Sequence, residues 1–152
     1  MKSGDLAAAL GKGLVAGCVG TAAMTVSSTI EAKLRSREGS TAPADAAAKV
    51  LGIEPVGEKE KARFSTLVHW SYGTGWGALR GVFGAVGIPV PGLVHYGSVW
   101  GSELVMLPAL EVAPPLKEWE PVEIAIDALH HAVYAAATSI AFRFLDRHTG
   151  RT

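Results

Sequence analysis

The stretch Glu123-Ile-Ala-Ile-Asp127-Ala-Leu-His130-His131-Ala-Val-Tyr134 decides the fold. Wound as a helix, it turns about 100° per residue, so Glu123, Asp127, His130, His131 and Tyr134 fall on one side. The opposite side carries Ala, Ile, Leu and Val. A narrow ionisable stripe inside an apolar helix requires partners, because an unpaired buried charge is very costly. The remaining segments should supply them.

The composition points the same way. Hydrophobic residues make up 49% and charged residues 18% of 152, and mean hydropathy is +0.26. Soluble domains usually carry about 25% charged residues. Net charge is zero, and no basic block interleaved with aromatics is present, which excludes a nucleic-acid partner. A single cysteine, Cys18, excludes an internal disulfide and a cysteine-rich zinc site.

Four apolar segments follow from the hydropathy pattern. The first, 6–31, is uncharged from Gly13 to Ile30, and 18 residues is near the minimum for crossing a bilayer core. Gly13, Gly17, Gly20, Met24 and Glu31 share one face of it. Leu14-Val-Ala-Gly-Cys18 looks like a lipoprotein cleavage box, but Lys12 interrupts the apolar core before it and the run continues past it, so this helix should be retained. The charged loop 32–63 follows. Inside it, Thr41-Ala-Pro43 through Leu51 and Gly52 has Pro at a helix start and Gly at a stop, which predicts a short surface helix. Its mixed charges read as a solvated face.

The second segment, 64–88, repeats Gly73, Gly77 and Gly81 every four residues, a seam for close helix packing. His69, Trp76 and Arg80 lie on a neighbouring line. Arg80 should pair with a carboxylate or reach the far interface. Pro89 and Pro91 then break the helix, and so short a link predicts that segments two and three form an antiparallel pair. The third, 92–112, has Gly97 and Gly101 spaced for close approach, Trp100 and Glu103 on a common face, and Pro108 to kink its end. A stiff connection with Pro114, Pro115 and Pro121 leads to the fourth segment, 122–145, whose exit carries Arg143, Arg147 and Arg151.

The fold expected is all-α, a four-transmembrane-helix bundle in one domain over 1–152, with both termini on one side. The loop side carries eight Lys and Arg against six on the terminal side, which favours a cytoplasmic 32–63 loop. Counted from the loop side, Glu31 lies roughly 5 Å deep, His69 and Asp127 roughly 8 Å, Glu103 and His130 roughly 12 Å. All four segments thus feed one polar layer of Glu31, His69, Glu103, Asp127, His130 and His131, supported by Glu123, Tyr134, Arg80, Trp76 and Trp100. Ionisable groups inside spans face the bundle interior and are functional candidates by default.

Three uses of the layer compete. A chain of Asp, Glu and His suits proton or ion handling. Asp127-x-x-His130 has the spacing of carboxylate–histidine pairs in di-iron bundles, so a metal held by Glu31, Glu103, Asp127, His130 and His69, or a haem between His69 and His130, would make a redox accessory. A satisfied structural network needs neither, and no bound cofactor is the simplest expectation. Nucleophilic catalysis has no Gly-x-Ser-x-Gly element behind it, and Gly73-Thr-Gly75-Trp-Gly77 lacks the Lys-Ser/Thr end of a phosphate loop, so a non-enzymatic protein is expected. A soluble bundle with a buried ligand pocket would need polar faces on every segment, which the first one lacks. The expected partners are the bilayer and, through the glycine seams, a second copy or another membrane protein.

The stretch Met106-Leu-Pro-Ala-Leu-Glu-Val-Ala-Pro114-Pro115, followed by Trp119-Glu120, Glu123, Asp127 and His130 and closed by Phe142-Arg143-Phe-Leu-Asp-Arg147, resembles the YagU-like small bacterial inner-membrane proteins. The likeness covers about two thirds of the chain and departs in the first loop. It implies a multi-pass inner-membrane location and no particular chemistry.

Overall fold

The computed structural model describes residues 3–149; Arg151, counted above at the helix exit, lies outside the described residues. The described chain is all helical. α1 is Ser3–Leu34, α2 Ala42–Leu51, α3 Glu58–Ala85, α4 Gly92–Ala109 and α5 Pro121–Thr149, with a single 3-10 turn at Leu116–Glu118 before α5.

The helix limits follow local chemistry. α1 stops at Ser36, which takes a left-handed φ of 53° and lets Arg37 N–H close on the Ala32 carbonyl at 3.0 Å. The expected surface helix is present as α2, stopped by Gly52 at φ 64°. α3 begins six residues before the apolar run, because Glu58 and Glu60 suit the positive end of the helix dipole. α4 ends at Ala109 and not at 112. Pro108 is accommodated in its last turn, Glu111 takes φ 54°, and Val112 N–H returns to the Leu107 carbonyl at 2.9 Å. Lys49 of α2 then donates to the freed Leu110 and Glu111 carbonyls at 2.7 and 3.1 Å.

α1 is the hub: it packs along α3 on one side and α5 on another, while α4 lies against α5 and α2 against α3. The two glycine seams expected from sequence meet each other. A Cβ on Gly17 would sit 2.8 Å from the Thr74 carbonyl, and one on Gly77 would strike the Gly17 backbone. Cleavage ahead of Cys18 would remove Gly13 and Gly17, half of this seam. Gly20 faces Tyr134 and Thr138 of α5.

Two expectations need correction. α3 and α4 do not form a close pair despite their short link; they reach each other through side chains such as Tyr72 and Ser102, 3.4 Å apart. Gly73, Gly77 and Gly81 of α3 are already committed to α1, which takes the place a neighbour would need. Gly97 and Gly101 of α4 meet nothing within 4 Å, so their spacing serves no contact within the described chain.

The interior is unusual in its chemistry. Its most buried large side chains are Tyr134, Thr21, Thr138 and Ser139, joined by Arg80, His95, His130 and His131. Leu93, Val105, Leu67, Val26, Ile140 and Phe144 are outside, each at least 59% exposed. Buried polar side chains thus sit beside Ala16, Val99, Leu107 and Ala135, while many large aliphatic side chains are exposed. By length and composition one helix, Ser3–Leu34, is apolar enough to cross a membrane. The other long helices dilute their aliphatic residues with Gly, His, Trp and Tyr.

Candidate functional site

α5 presents its ionisable stripe to two neighbours at once. His130 and His131 are adjacent in sequence, so they point about 100° apart around the helix axis. His130 turns toward α1, where its Nδ1 lies 2.8 Å from Ser27 Oγ and its Nε2 3.7 Å from Glu31 Oε2. His131 turns toward α4, where its Nε2 lies 2.5 Å from Glu103 Oε2. On its own helix, its Nδ1 is 3.0 Å from the Asp127 carbonyl and 3.5 Å from Asp127 Oδ1. The other Asp127 oxygen accepts from Trp100 Nε1 at 2.7 Å.

Proton placement follows from these contacts. A backbone carbonyl can only accept, so His131 Nδ1 donates to Asp127 O. His131 Nε2 and Glu103 Oε2 then share one proton. It resides either on a neutral Glu103 that donates to imidazole or on an imidazolium facing a carboxylate. Both arrangements keep the same heavy-atom positions.

Around this pair the helices leave a cleft of about 750 Å³. Thr21, Thr25 and Ser28 of α1, His69 and Tyr72 of α3, Glu103 of α4, and Asp127, His130, His131 and Tyr134 of α5 line it. The link between α1 and α2 contributes Arg37, Gly39 and Ser40 at its edge. His69 Nε2 lies 2.9 Å from Thr25 Oγ1, and that hydroxyl donates to the Thr21 carbonyl, so it accepts from the imidazole. Tyr134 donates to the Gly73 carbonyl at 2.5 Å, tying α5 to the α1–α3 seam.

The expected layer is therefore assembled in part. Glu103, Asp127 and His131 converge, with one ligand atom from each lying within 4.8 Å of the others. His130 belongs to a second group with Glu31 and Ser27, and His69 to a third with Thr25. The ligand set read from sequence was Glu31, Glu103, Asp127, His130 and His69; in the structure it is His131 that meets Glu103 and Asp127, because α4 packs on the side of α5 to which position 131 points. Glu31 is held from the loop by Arg35 at 3.2 Å and by Arg37. Glu123 is bound by Arg35 in two contacts, one of them at 3.0 Å. The Glu123 and Glu31 carboxylates hold the Arg35 guanidinium well above the ordinary arginine range. Arg35 thus links the ends of α1 and α5, while it and Arg37 remain exposed, the solvated face read from sequence.

Trp76 packs against the Val99–Tyr134–Ala135 cluster and edge-on to Tyr72. Arg80 makes no carboxylate pair among the described residues; its guanidinium lies over the Phe142 ring at 5.5 Å. Sequence reasoning missed the hydroxyls Thr21, Thr25 and Ser27, and also His95, which is buried and lies 5.6 Å from the Tyr134 ring. The spacing of Thr21, Thr25 and Ser28 by three and four on an otherwise apolar helix was the available signal.

No protein-family model, no curated protein and no solved structure matches the chain.

Proposed function

We propose that this chain is a small multi-pass protein of the bacterial inner membrane, whose interior layer takes up and hands on a proton. The observation that carries the reading is the Glu103–His131 contact at 2.5 Å, with His131 Nδ1 anchored on a carbonyl. Two titratable groups that differ only in where one proton sits, lining a cleft, are the minimum for proton handling. Asp127 steadies the charged form from one side, and Trp100 fixes the Asp127 carboxylate.

The four-span arrangement is part of the proposal. It is supported by the polar interior and the aliphatic exterior, since in lipid the apolar side chains face outward and polar ones pair inside. The lysine and arginine balance favours a cytoplasmic 32–63 loop. The Gly97 and Gly101 positions of α4, where an added Cβ would meet nothing within 4 Å among the described residues, suit a second copy or another membrane protein. Kinship with the YagU-like proteins rests on the C-terminal residues that carry the likeness.

A second reading is favoured by one observation, the convergence of Glu103, Asp127 and His131. Two carboxylates and one imidazole would hold a divalent metal with open positions toward the cleft. The test separates the two. In liposomes, Glu103→Gln should lower pH-driven proton flux about ten-fold or more, the scale of losing a positioned proton-transfer group. Asp127→Asn should lower it as well, and flux equal to wild type in both removes the proton reading. Stoichiometric zinc or iron in the purified chain, lost in Glu103→Ala with His131→Ala, would replace it by the metal reading.

A further inference from the structure

The other end of the bundle carries a second polar site, remote in sequence from the layer on every helix. A cavity of about 250 Å³ lies between α3, α5 and the link to α4. Arg80, Arg143 and Arg147 line it together with Asp146, and Gly84, Pro89, Val90 and Phe142 form its apolar wall.

Its charge is unbalanced. Three guanidiniums face one carboxylate, and that carboxylate is engaged by Lys12 of α1 at 3.0 Å. Arg80 is 8% exposed, and its Nε and Nη1 have no hydrogen-bond partner among the described residues. A buried guanidinium with unmet donors is strongly unfavourable unless an acceptor reaches it. The Phe142 face offsets part of its charge but accepts none of its in-plane N–H bonds. Arg143 donates its Nε to the Ser139 carbonyl at 3.2 Å, which leaves its terminal nitrogens for the cavity.

We infer that this cavity binds a phosphate-type oxyanion, with Arg80 as the buried fork and Arg143 and Arg147 at the mouth. Arginine forks match the tetrahedral oxygens of phosphate in paired hydrogen bonds and are preferred for that role. A cation is repelled by the surplus of guanidinium charge. The apolar wall of Pro89, Val90 and Phe142 lies beside the polar end, as required for a phosphodiester joined to a hydrocarbon chain. A free phosphate would use the same nitrogens. This site does not depend on the proton reading.

The experiment uses the full chain in mild detergent. Melting temperature is followed against inorganic phosphate, with sodium chloride at matched ionic strength as control. Retention of phosphatidylglycerol against phosphatidylcholine is followed by native mass spectrometry. Saturable stabilisation by phosphate supports a free anion; selective retention of phosphatidylglycerol without a phosphate effect supports a lipid headgroup. In either arm, Arg80→Gln should weaken binding about ten-fold or more, the scale of a lost charge-assisted hydrogen bond. Arg143→Gln, at an exposed position, should weaken it in the same direction and serves where Arg80→Gln does not fold. Neither phosphate stabilisation nor lipid selectivity in the wild type, or wild-type binding in Arg143→Gln, overturns the proposal.

Discussion

At the scale of single residues, the protein depends on side chains that each satisfy two neighbours. Tyr134 is buried, stacks near His95 and donates to the Gly73 carbonyl. Tyr134→Phe should therefore lower unfolding free energy by about 1–2 kcal/mol, since the Gly73 carbonyl loses a buried donor; denaturation in detergent measures it, and an unchanged midpoint would show the bond to be dispensable. The ionisable residues of the site were legible because charges inside apolar runs stand out. Which of them meet was not. Asp127, His130 and His131 lie on one broad face in projection, and only the positions of α1 and α4 around α5 decide that His130 serves one and His131 the other. The hydroxyls of α1 were invisible for a different reason, since Thr and Ser are ordinary residues in apolar helices.

At the scale of elements, the seam between α1 and α3 sets the spacing of the bundle. Gly13, Gly17 and Gly77 bring two backbones into contact where any Cβ would strike main-chain atoms. Gly77→Ala should cost about 1–3 kcal/mol or more, the cost of overpacking against backbone that has no side chain to move aside. Gly97→Ala is the matched control. Its site is open within the chain, so in the detergent-solubilised monomer the substitution should be neutral or stabilising by up to about 1 kcal/mol through helix propensity. Equal destabilisation by the two would mean that glycine spacing alone, and not contact, governs the effect. Glycines every four residues could be read from the sequence as packing surfaces. Their pairing could not, because the same spacing on α3 and α4 suits a mate of any index. The sequence-adjacent mate was expected for α3, and α1 took the place.

For the whole molecule, two features stand together: threonines, serines, histidines and an arginine are buried, and large aliphatic side chains such as Leu93, Val105 and Ile140 are exposed. The helical class, the surface helix and the approximate helix limits were legible from periodicity and from Pro and Gly punctuation. The fourfold crossing is tested by accessibility. In a Cys18→Ser background, Gly39→Cys and Glu118→Cys should label from one face of intact membranes, and Gly4→Cys and Gly87→Cys from the other. All four labelling from the same face, or recovery of the chain in the soluble fraction, would refute a four-span bundle.

The central position of α1 has a consequence for how the molecule is made. α1 is synthesised first, while α5, which completes its second flank, begins 87 positions after Leu34. At roughly 5–20 residues per second, about 4–17 s pass before synthesis of that flank even begins. The polar residues of α1 are suited to waiting: Thr21 donates to the Gly17 carbonyl, Thr25 to Thr21 and Ser28 to Thr25, all within the helix itself. The nascent helix thus carries the hydroxyls of Thr21, Thr25 and Ser28 already satisfied through that interval, while Ser27 gains its partner His130 only when α5 arrives.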